Sequence, residues 1–427
     1  MPSLLEFKDV STPVVVVNCK LGALGIMRTL GRLGVPLYGV DADPGAPALL
    51  SRYCRKGFLF GLHESRPADF LTRLSEVGKE LGRPAILIPT SDETAQFVFD
   101  HAETLARHFV FPRNSPEMIA RLVSKKGMYE MALEYGVPTP VTLFPNNLEE
   151  LKSVLPKITF PVMLKGIFGN RLQERSHKKM VIVHSIEEFI DNYAAMEDPD
   201  MPNLMIQEYI PGDDDQIYIF NGYFDRDSRC LAAFTGHKLR QFPVHVGCAS
   251  LGICRWNEEV ANATTRFMKA IGYQGILDIG YRYDARDGLY KVLDANPRVG
   301  QAFRLFVAEN DMGVIKALYL DLTGPQQHEV IARDGGRRLI EDYDLISSMH
   351  YYQEGTLGLR QWLRSFRGVE ETAWFDRKDW RPFMKMIGGL LNRTWKWLLK
   401  WLRGSGRAEG SLKRDDHGRR PLPSSDR

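Results

Sequence analysis

The sequence predicts an α/β domain followed by an α+β body built mainly from antiparallel sheets. Three observations predict it. Over the first ~120 residues, short β-branched runs alternate with helical spacings, the pattern of a parallel sheet with right-handed crossovers. From Ser124 to Gly324, short strands follow one another with few helices between them. Near residue 290, two apolar strands flank an Asp-Gly pair, the signature of a hairpin.

A chain of 427 residues suggests two or three domains. With 44% hydrophobic and 26% charged residues it is globular, not disordered or collagen-like. Lys+Arg 56 against Asp+Glu 53 gives no field that would select nucleic acid. Five Cys (19, 54, 230, 248, 254), with no CxxC pair, exclude a disulfide scaffold and argue against zinc. The N-terminus lacks a basic region and a small-residue cleavage site, so no signal peptide is expected. No apolar run is long enough to span a membrane. A cytoplasmic location is the default.

In order, Val14-Val15-Val16-Val17 reads as a strand buried on both faces. Gly22 and Gly25 mark a turn, and Ile26, Leu30 and Leu33 recur at helical spacing. Val35 to Val40 is the next strand, ending at Asp41 and Asp43; Ala85 to Ile88 is a third, ending at Pro89-Thr90-Ser91-Asp92. The Gly22–Asp41 separation invites a Rossmann-like dinucleotide reading, but the GxGxxG frame lacks its third glycine. The helix Lys125 to Tyr135 stops at Gly136 with prolines beyond. Strands are expected at 161–165, 180–183, 204–208, 216–220, 230–234, 275–279 and 290–294, with a helix over 260–271. We therefore expect a first domain over 1–120, a second over 121–325, a C-terminal extension over 326–381 without an assignable role, an amphipathic helix over 382–403 and a disordered tail over 404–427. On the helix, Leu391, Trp395, Leu398 and Leu402 share one face; Arg393, Lys396, Lys400 and Arg403 share the other.

Three features of the middle region fit the holding of a nucleoside triphosphate with a metal. Lys125 opens a helix and Lys165 ends a strand, so two ammonium groups can converge on phosphate oxygens. Ile206-Gln207-Glu208-Tyr209-Ile210-Pro211-Gly212-Asp213-Asp214-Asp215 is a strand running into a turn, with backbone for an adenine edge and carboxylates for ribose hydroxyls. The three consecutive acids lack the alternating ligands of a calcium loop. Asp294 and Asn296, two apart on a strand, leave the same face, and Asp278 on the partner strand can meet them. Three oxygen donors on one rigid face suit Mg²⁺.

Ser124-Lys125, Gly136-Val137-Pro138-Thr139-Pro140, Phe160-Pro161 with Lys165, the Gln207-to-Gly212 hinge and Asp294-Ala295-Asn296-Pro297-Arg298 stand in an order that resembles the ATP-grasp superfamily, most closely its carboxylate–amine ligase branch that includes D-aspartate ligases. The preceding segment resembles the Rossmann-like pre-ATP-grasp domain of the same enzymes. The resemblance implies a two-lobed domain with ATP between the lobes. Lys125 and Lys165 would contact phosphates; Gln207, Glu208 and Ile210 would line the adenine; Asp214 or Asp215 would hold the ribose. Asp278, Asp294 and Asn296 would bind Mg²⁺ or Mn²⁺, and catalytic Arg298 would steady the transferring phosphoryl group. The implied activity is ATP-dependent joining of a carboxylate to an amine through an acyl phosphate.

Three features depart from the family pattern, one being that Asp294, shorter by a methylene, stands where the second metal ligand is usually Glu. The segment Gly166 to Arg175 is glycine-poor, so Arg or Lys side chains would have to cover the phosphates. The position that often bears the first metal acid is Gly280, which moves that role to Asp278. From the residues themselves, Lys238, Arg240 and Arg304 are candidates for an anionic substrate. The 382–403 helix admits docking on the protein's own body or peripheral contact with an anionic membrane at the inner face. The oligomeric state stays open, with a homo-oligomer among the options. The competing readings are a nucleotide-binding protein of the same fold without turnover, and an NAD-dependent oxidoreductase using residues 14–43.

Overall fold

The structure, a computed structural model, describes residues 9–178, 180–324, 330 and 334–405. By compactness the chain forms two units, Met1–Pro382 and Phe383–Arg427. Among the described residues no helix is long and apolar enough to cross a membrane.

The first sheet contains β1 (Val14–Val17), β2 (Leu37–Asp41), β3 (Cys54–Leu59), β4 (Ala85–Pro89) and β5 (Phe109–Val110), in the order β3-β2-β1-β4-β5. Every described pairing in it is parallel. The central strand is Val14–Val17, buried at all four positions, because helices cover both of its faces. The glycines that suggested a phosphate-binding turn do another job. The helix Leu21–Gly31 lies against residues 299–304, and a Cβ on Gly25 would sit 2.7 Å from the Phe303 ring. Gly22 faces the carbonyl of Gly300 at ordinary contact distance, 3.5 Å from where a Cβ would stand. Asp41, the candidate ribose acid, accepts instead from the backbone N–H groups of Cys19 at 2.7 Å and Asp43 at 2.9 Å. The dinucleotide reading is therefore corrected: its glycines pack a helix and its acid ties a loop.

The second sheet holds β6 (Thr142–Leu143), β7 (Val162–Gly166), β8 (Met180–Val183) and β9 (Leu204–Glu208), in the order β6-β9-β7-β8, with antiparallel pairs. The third is larger: β10 (Ile217–Phe224), β11 (Cys230–Phe242), β12 (Cys248–Cys254), β13 (Gly275–Asp284), β14 (Leu289–Asn296), β15 (Arg337–Leu339) and β16 (Val369–Thr372). Its order is β14-β13-β10-β11-β12-β15-β16. The hairpin expected near residue 290 is β13–β14, turning at Gly288 with φ +75°.

One apolar cluster joins β1 and the helix Leu21–Gly31 to Phe234, Phe303, Leu305 and the helix Val314–Thr323, so the parallel sheet and the larger sheet share a core within one compact unit. The extension adds a latch. Arg28 donates to Asp379 Oδ2 and to the carbonyls of Ala373, Trp374 and Asp379, while Ser51 and the Arg52 N–H donate to the same carboxylate.

The second unit contains most of the helix Arg381–Ser405, on which Leu391 and Trp395 are exposed. The side chains of Arg393, Lys396, Leu398, Lys400, Leu402 and Arg403 lie outside what is described, as does the expected disordered tail from residue 406 onward.

Candidate active site

Two edges of the body face one cleft of about 1810 Å³, lined by Lys125, Lys165, Gln207 to Ile210, Asp213 to Asp215, Lys238, Asp278, Asp294, Asn296 and Arg298 among others. Strand β7 delivers Lys165 because its side chains alternate across the sheet. The helix Lys125–Glu134 delivers Lys125; Ser124 caps it by accepting from the Gly127 N–H. Strand β9 runs antiparallel to β7 and carries the hinge.

Lys165 is buried, and its ammonium donates to Gln207 Oε1 at 2.9 Å. The Gln207 amide donates to the Tyr129 hydroxyl at 2.5 Å, and that hydroxyl donates to the Leu293 carbonyl at 2.8 Å. A buried relay thus connects the lysine strand to the residue preceding Asp294. Burial, and then the neighbouring Lys125 charge, lower the Lys165 pKa to about 8. Lys238 is a third ammonium in the cleft; it donates to the Gly247 carbonyl at 2.8 Å and to Gln241 Oε1 at 3.1 Å, and burial lowers its pKa.

Across the cleft stand the oxygen donors. Asp278 pairs with Asn296 in the ladder, and Gly280 pairs with Asp294. Each carboxylate occupies space vacated by a glycine. A Cβ on Gly280 would lie 2.5 Å from Asp294 Oδ1, and one on Gly300 would lie 1.9 Å from Asp278 Oδ2. The absence of an acid at position 280 therefore leaves room for the one at 294. Burial, opposed by Arg298 and reinforced by Asp294, raises the Asp278 pKa to about 6. Asn296 Nδ2 donates to the Asp278 carbonyl, and its Oδ1 accepts from Arg298. Among the described residues there is no cluster of three or more His, Cys, Asp or Glu side chains able to hold a metal by themselves. Two carboxylates and an amide, seated in glycine-lined cradles, fit an ion that keeps some of its waters and shares phosphate oxygens.

The remaining predicted residues divide. Ile210 is buried in the cleft wall. Glu208 lines the cleft, but its carboxylate accepts from Arg286 and from the Val141 N–H. Asp214 accepts from the Tyr351 hydroxyl and bonds the His245 ring, whereas the carboxylate of Asp215 has no hydrogen-bond partner among the described residues. Three expectations are corrected. Arg240 is buried and forked onto Asp344, with Nε to Oδ1 at 2.7 Å and a terminal N–H to Oδ2 at 2.9 Å, so it holds the extension rather than a substrate. Arg304 faces a separate pocket and forks onto Glu371. The segment after Lys165 forms the helix Gly169–Ser176; Arg171 donates to the Met201 carbonyl and Arg175 pairs with Asp198, so neither covers the cleft.

Sequence reasoning missed Tyr129, Gln241 and Asp92. Gln241 is 1% exposed, and its Nε2 has no hydrogen-bond partner among the described residues. It also missed the extension's part in the cleft, which Tyr343, Tyr351, Leu357 and Ser365 help to line. Local spacing does not signal Tyr129, Asp92 or the extension, because their partners lie far away in the chain.

No protein-family model matches the chain. It is 29% identical over 241 residues to D-aspartate ligase of Enterococcus faecium (strain Aus0004). The match covers 54% of this chain and 57% of that relative, so it spans little more than half of either. Among solved structures, the N5-carboxyaminoimidazole synthetase of Staphylococcus aureus, complexed with ADP, superposes with a TM-score of 0.60 at 10% identity, over 82% of this chain and 88% of that one. An L-amino acid ligase of Bacillus licheniformis gives 0.57 at 15% identity, over 77% and 79%. The biotin carboxylase domain of Hydrogenobacter thermophilus 2-oxoglutarate carboxylase, with MgADP, ADP and bicarbonate, gives 0.59 at 17% identity, over 77% and 73%. The chain has the ATP-grasp fold that the motif order implied.

Proposed function

We propose that the protein is a Mg·ATP-dependent carboxylate–amine ligase. One observation carries the reading: ammonium groups from two distant elements, Lys125 and Lys165, face Asp278, Asp294 and Asn296 across a single cleft. The similarity to D-aspartate ligase, and the ADP and MgADP complexes of the structural neighbours, support the same substrates.

In this reading Lys125, Lys165 and Lys238 neutralise the polyphosphate. Asp278, Asp294 and Asn296 would hold a divalent cation, which would supply charge stabilisation at the phosphoryl oxygens. Ile210 and the hinge backbone take the adenine. Asp215 is free to take the ribose, and Asp214 would first have to release Tyr351 and His245. A substrate carboxylate oxygen attacks the γ-phosphorus, and the bond to the ADP oxygen breaks. The amine then attacks the acyl carbon of the resulting acyl phosphate, and inorganic phosphate leaves. The amine's proton passes to water or to a phosphate oxygen. Arg298 neutralises the phosphoryl oxygens as charge develops.

A screen of amino acids and small carboxylates for ADP release tests the proposal, with Asp294→Ala as control. ADP release that needs both an acid and an amine, and that the variant loses, is the expected result. Release by the variant at the wild-type rate removes the assignment. Nucleotide binding without stimulated turnover favours the non-catalytic alternative.

Two further points belong to the same reading. A similar biotin carboxylase domain is a dimer, which supports a homo-oligomer here. Exposed Leu391 and Trp395 support peripheral contact of 382–403 with an anionic membrane. Equal liposome flotation with and without that helix would remove the membrane contact.

A further inference from the structure

We infer that Asp92, supplied by the first domain, is a positioning residue for Arg298 in the cleft; the inference rests on the ligase reading above. Strand β4 ends at Pro89, and Ser91 fixes the start of the helix Asp92–Asp100 in a capping box with Thr94. Asp92 is therefore held at the first helical position. Its Oδ1 accepts from Arg298 Nε at 2.8 Å.

A guanidinium has five N–H donors. On Arg298, Nε goes to Asp92, one terminal nitrogen reaches Asn296 Oδ1 at 3.2 Å, and the other reaches the Val299 carbonyl at 3.4 Å. That leaves two N–H groups, one on each terminal nitrogen, beside the cleft that Arg298 lines. Two parallel donors suit two oxygens of a phosphoryl group or an acyl phosphate. Rotation of the guanidinium about its stem would misdirect them, and the Asp92 contact is the one charged restraint on that rotation among its hydrogen bonds.

Magnitudes argue against a purely structural role. Asp92 is 38% exposed and Arg298 19%, so the pair lies between a fully exposed one, which contributes about 1 kcal/mol or less, and a dry one. The first domain is already joined to the body by a shared core and by the Arg28–Asp379 latch. The contact adds little to docking but fixes a guanidinium on the strand that bears the metal donors.

The test uses the full-length chain. In spectra of protein labelled with ¹⁵N at arginine Nε, the Arg298 signal is identified by its absence in Arg298→Lys. It is expected to exchange slowly in wild type and Asp92→Asn, which keeps an acceptor oxygen, and to be lost to rapid exchange in Asp92→Ala. For stimulated ADP release, Asp92→Ala is expected to lower kcat by about 10- to 100-fold with KM for ATP within about threefold, and Asp92→Asn to recover most of the rate. A protected signal in Asp92→Ala overturns the inference. So does a melting temperature lowered with kcat per folded molecule unchanged. A wild-type chain that binds no Mg·ATP and releases no ADP removes the ligase reading instead, and the Nε signal alone then judges the contact.

Discussion

Asp294 Oδ1 lies directly over Gly280, its partner in the β13–β14 ladder, where a Cβ would approach to 2.5 Å. The carboxylate can sit there only because position 280 has no side chain. Gly280→Ala is expected to push Asp294 off its cradle and weaken divalent-cation binding by about 10- to 100-fold, the usual scale for disturbing a ligand's support. Alanine is acceptable in a strand at this backbone conformation, so the melting temperature should move little. Calorimetric titration with Mn²⁺ reads the effect. Wild-type affinity in Gly280→Ala would show that Asp294 is not the ligand.

Lys165 carries its charge below about pH 8 and loses it above, because burial and Lys125 depress it from the ordinary lysine value of 10.5. If its ammonium meets phosphate, Mg·ATP affinity falls as pH rises through 8, approaching about tenfold per unit where one proton must be taken up on binding. The effect on folding has the opposite sign. Between about 8 and 10.5 the folded chain binds fewer protons than the unfolded one, so this group favours the fold more as pH rises. Titration of ATP binding from pH 6.5 to 9 in wild type and Lys165→Met checks it. The variant should bind weakly with a flattened profile; an unchanged slope assigns the titration elsewhere.

The two predictions rest on residues that the sequence made legible, and the reason is local. Asp294, Asn296 and Asp278 are related by strand alternation and a hairpin, so spacing alone puts them on one face. Lys125 and Lys165 each end or begin an element whose period is plain. Gly22 and Gly25 misled because the same glycine pattern serves close helix packing, against residues 299–304 more than 250 positions away, and Asp41 because its carboxylate serves the backbone N–H groups of Cys19 and Asp43. Arg240 misled for a related reason. A strand arginine beside a lysine reads as a substrate site until Asp344 is known to face it. Asp344 came from the one segment whose role could not be read.

The Arg240–Asp344 pair makes that segment part of the cleft wall. Both side chains are buried, and Asp344 also accepts from Trp362, Ser250 and Ser348. Removing one member leaves an uncompensated charge in a dry site, at a cost of about 3–5 kcal/mol. Arg240→Met is expected to destabilise the chain on that scale in denaturant unfolding. The double variant Arg240→Met/Asp344→Leu should recover part of the loss. Were Arg240 a substrate ligand instead, Arg240→Met would retain its unfolding midpoint and change only KM.

Arg28 and Asp379 test whether the extension clamps the first domain. Arg28 is 2% exposed on the helix Leu21–Gly31, and the Asp379 carboxylate is fully buried against it at 3.0 Å. Asp379 Oδ1 also accepts from the Arg52 N–H and Oδ2 from Ser51, so Asp379→Ala strands three donors at once. Buried donors without partners cost about 1–3 kcal/mol each and a buried unpaired charge more, although neighbouring relaxation and water entry make the sum less than additive. We expect Asp379→Ala to lose about 3–5 kcal/mol and to expose the 369–380 segment to proteolysis before the rest of the chain. Asp379→Asn keeps both acceptor and volume and should lose less. The cleft residues lie on other elements, so Mg·ATP affinity at low temperature should stay within about threefold of wild type, as for distant sites without shared partners. Limited proteolysis followed by mass spectrometry reads the order of cleavage. A first cut elsewhere, with wild-type stability in Asp379→Ala, would mean that the shared apolar core alone holds the first domain in place.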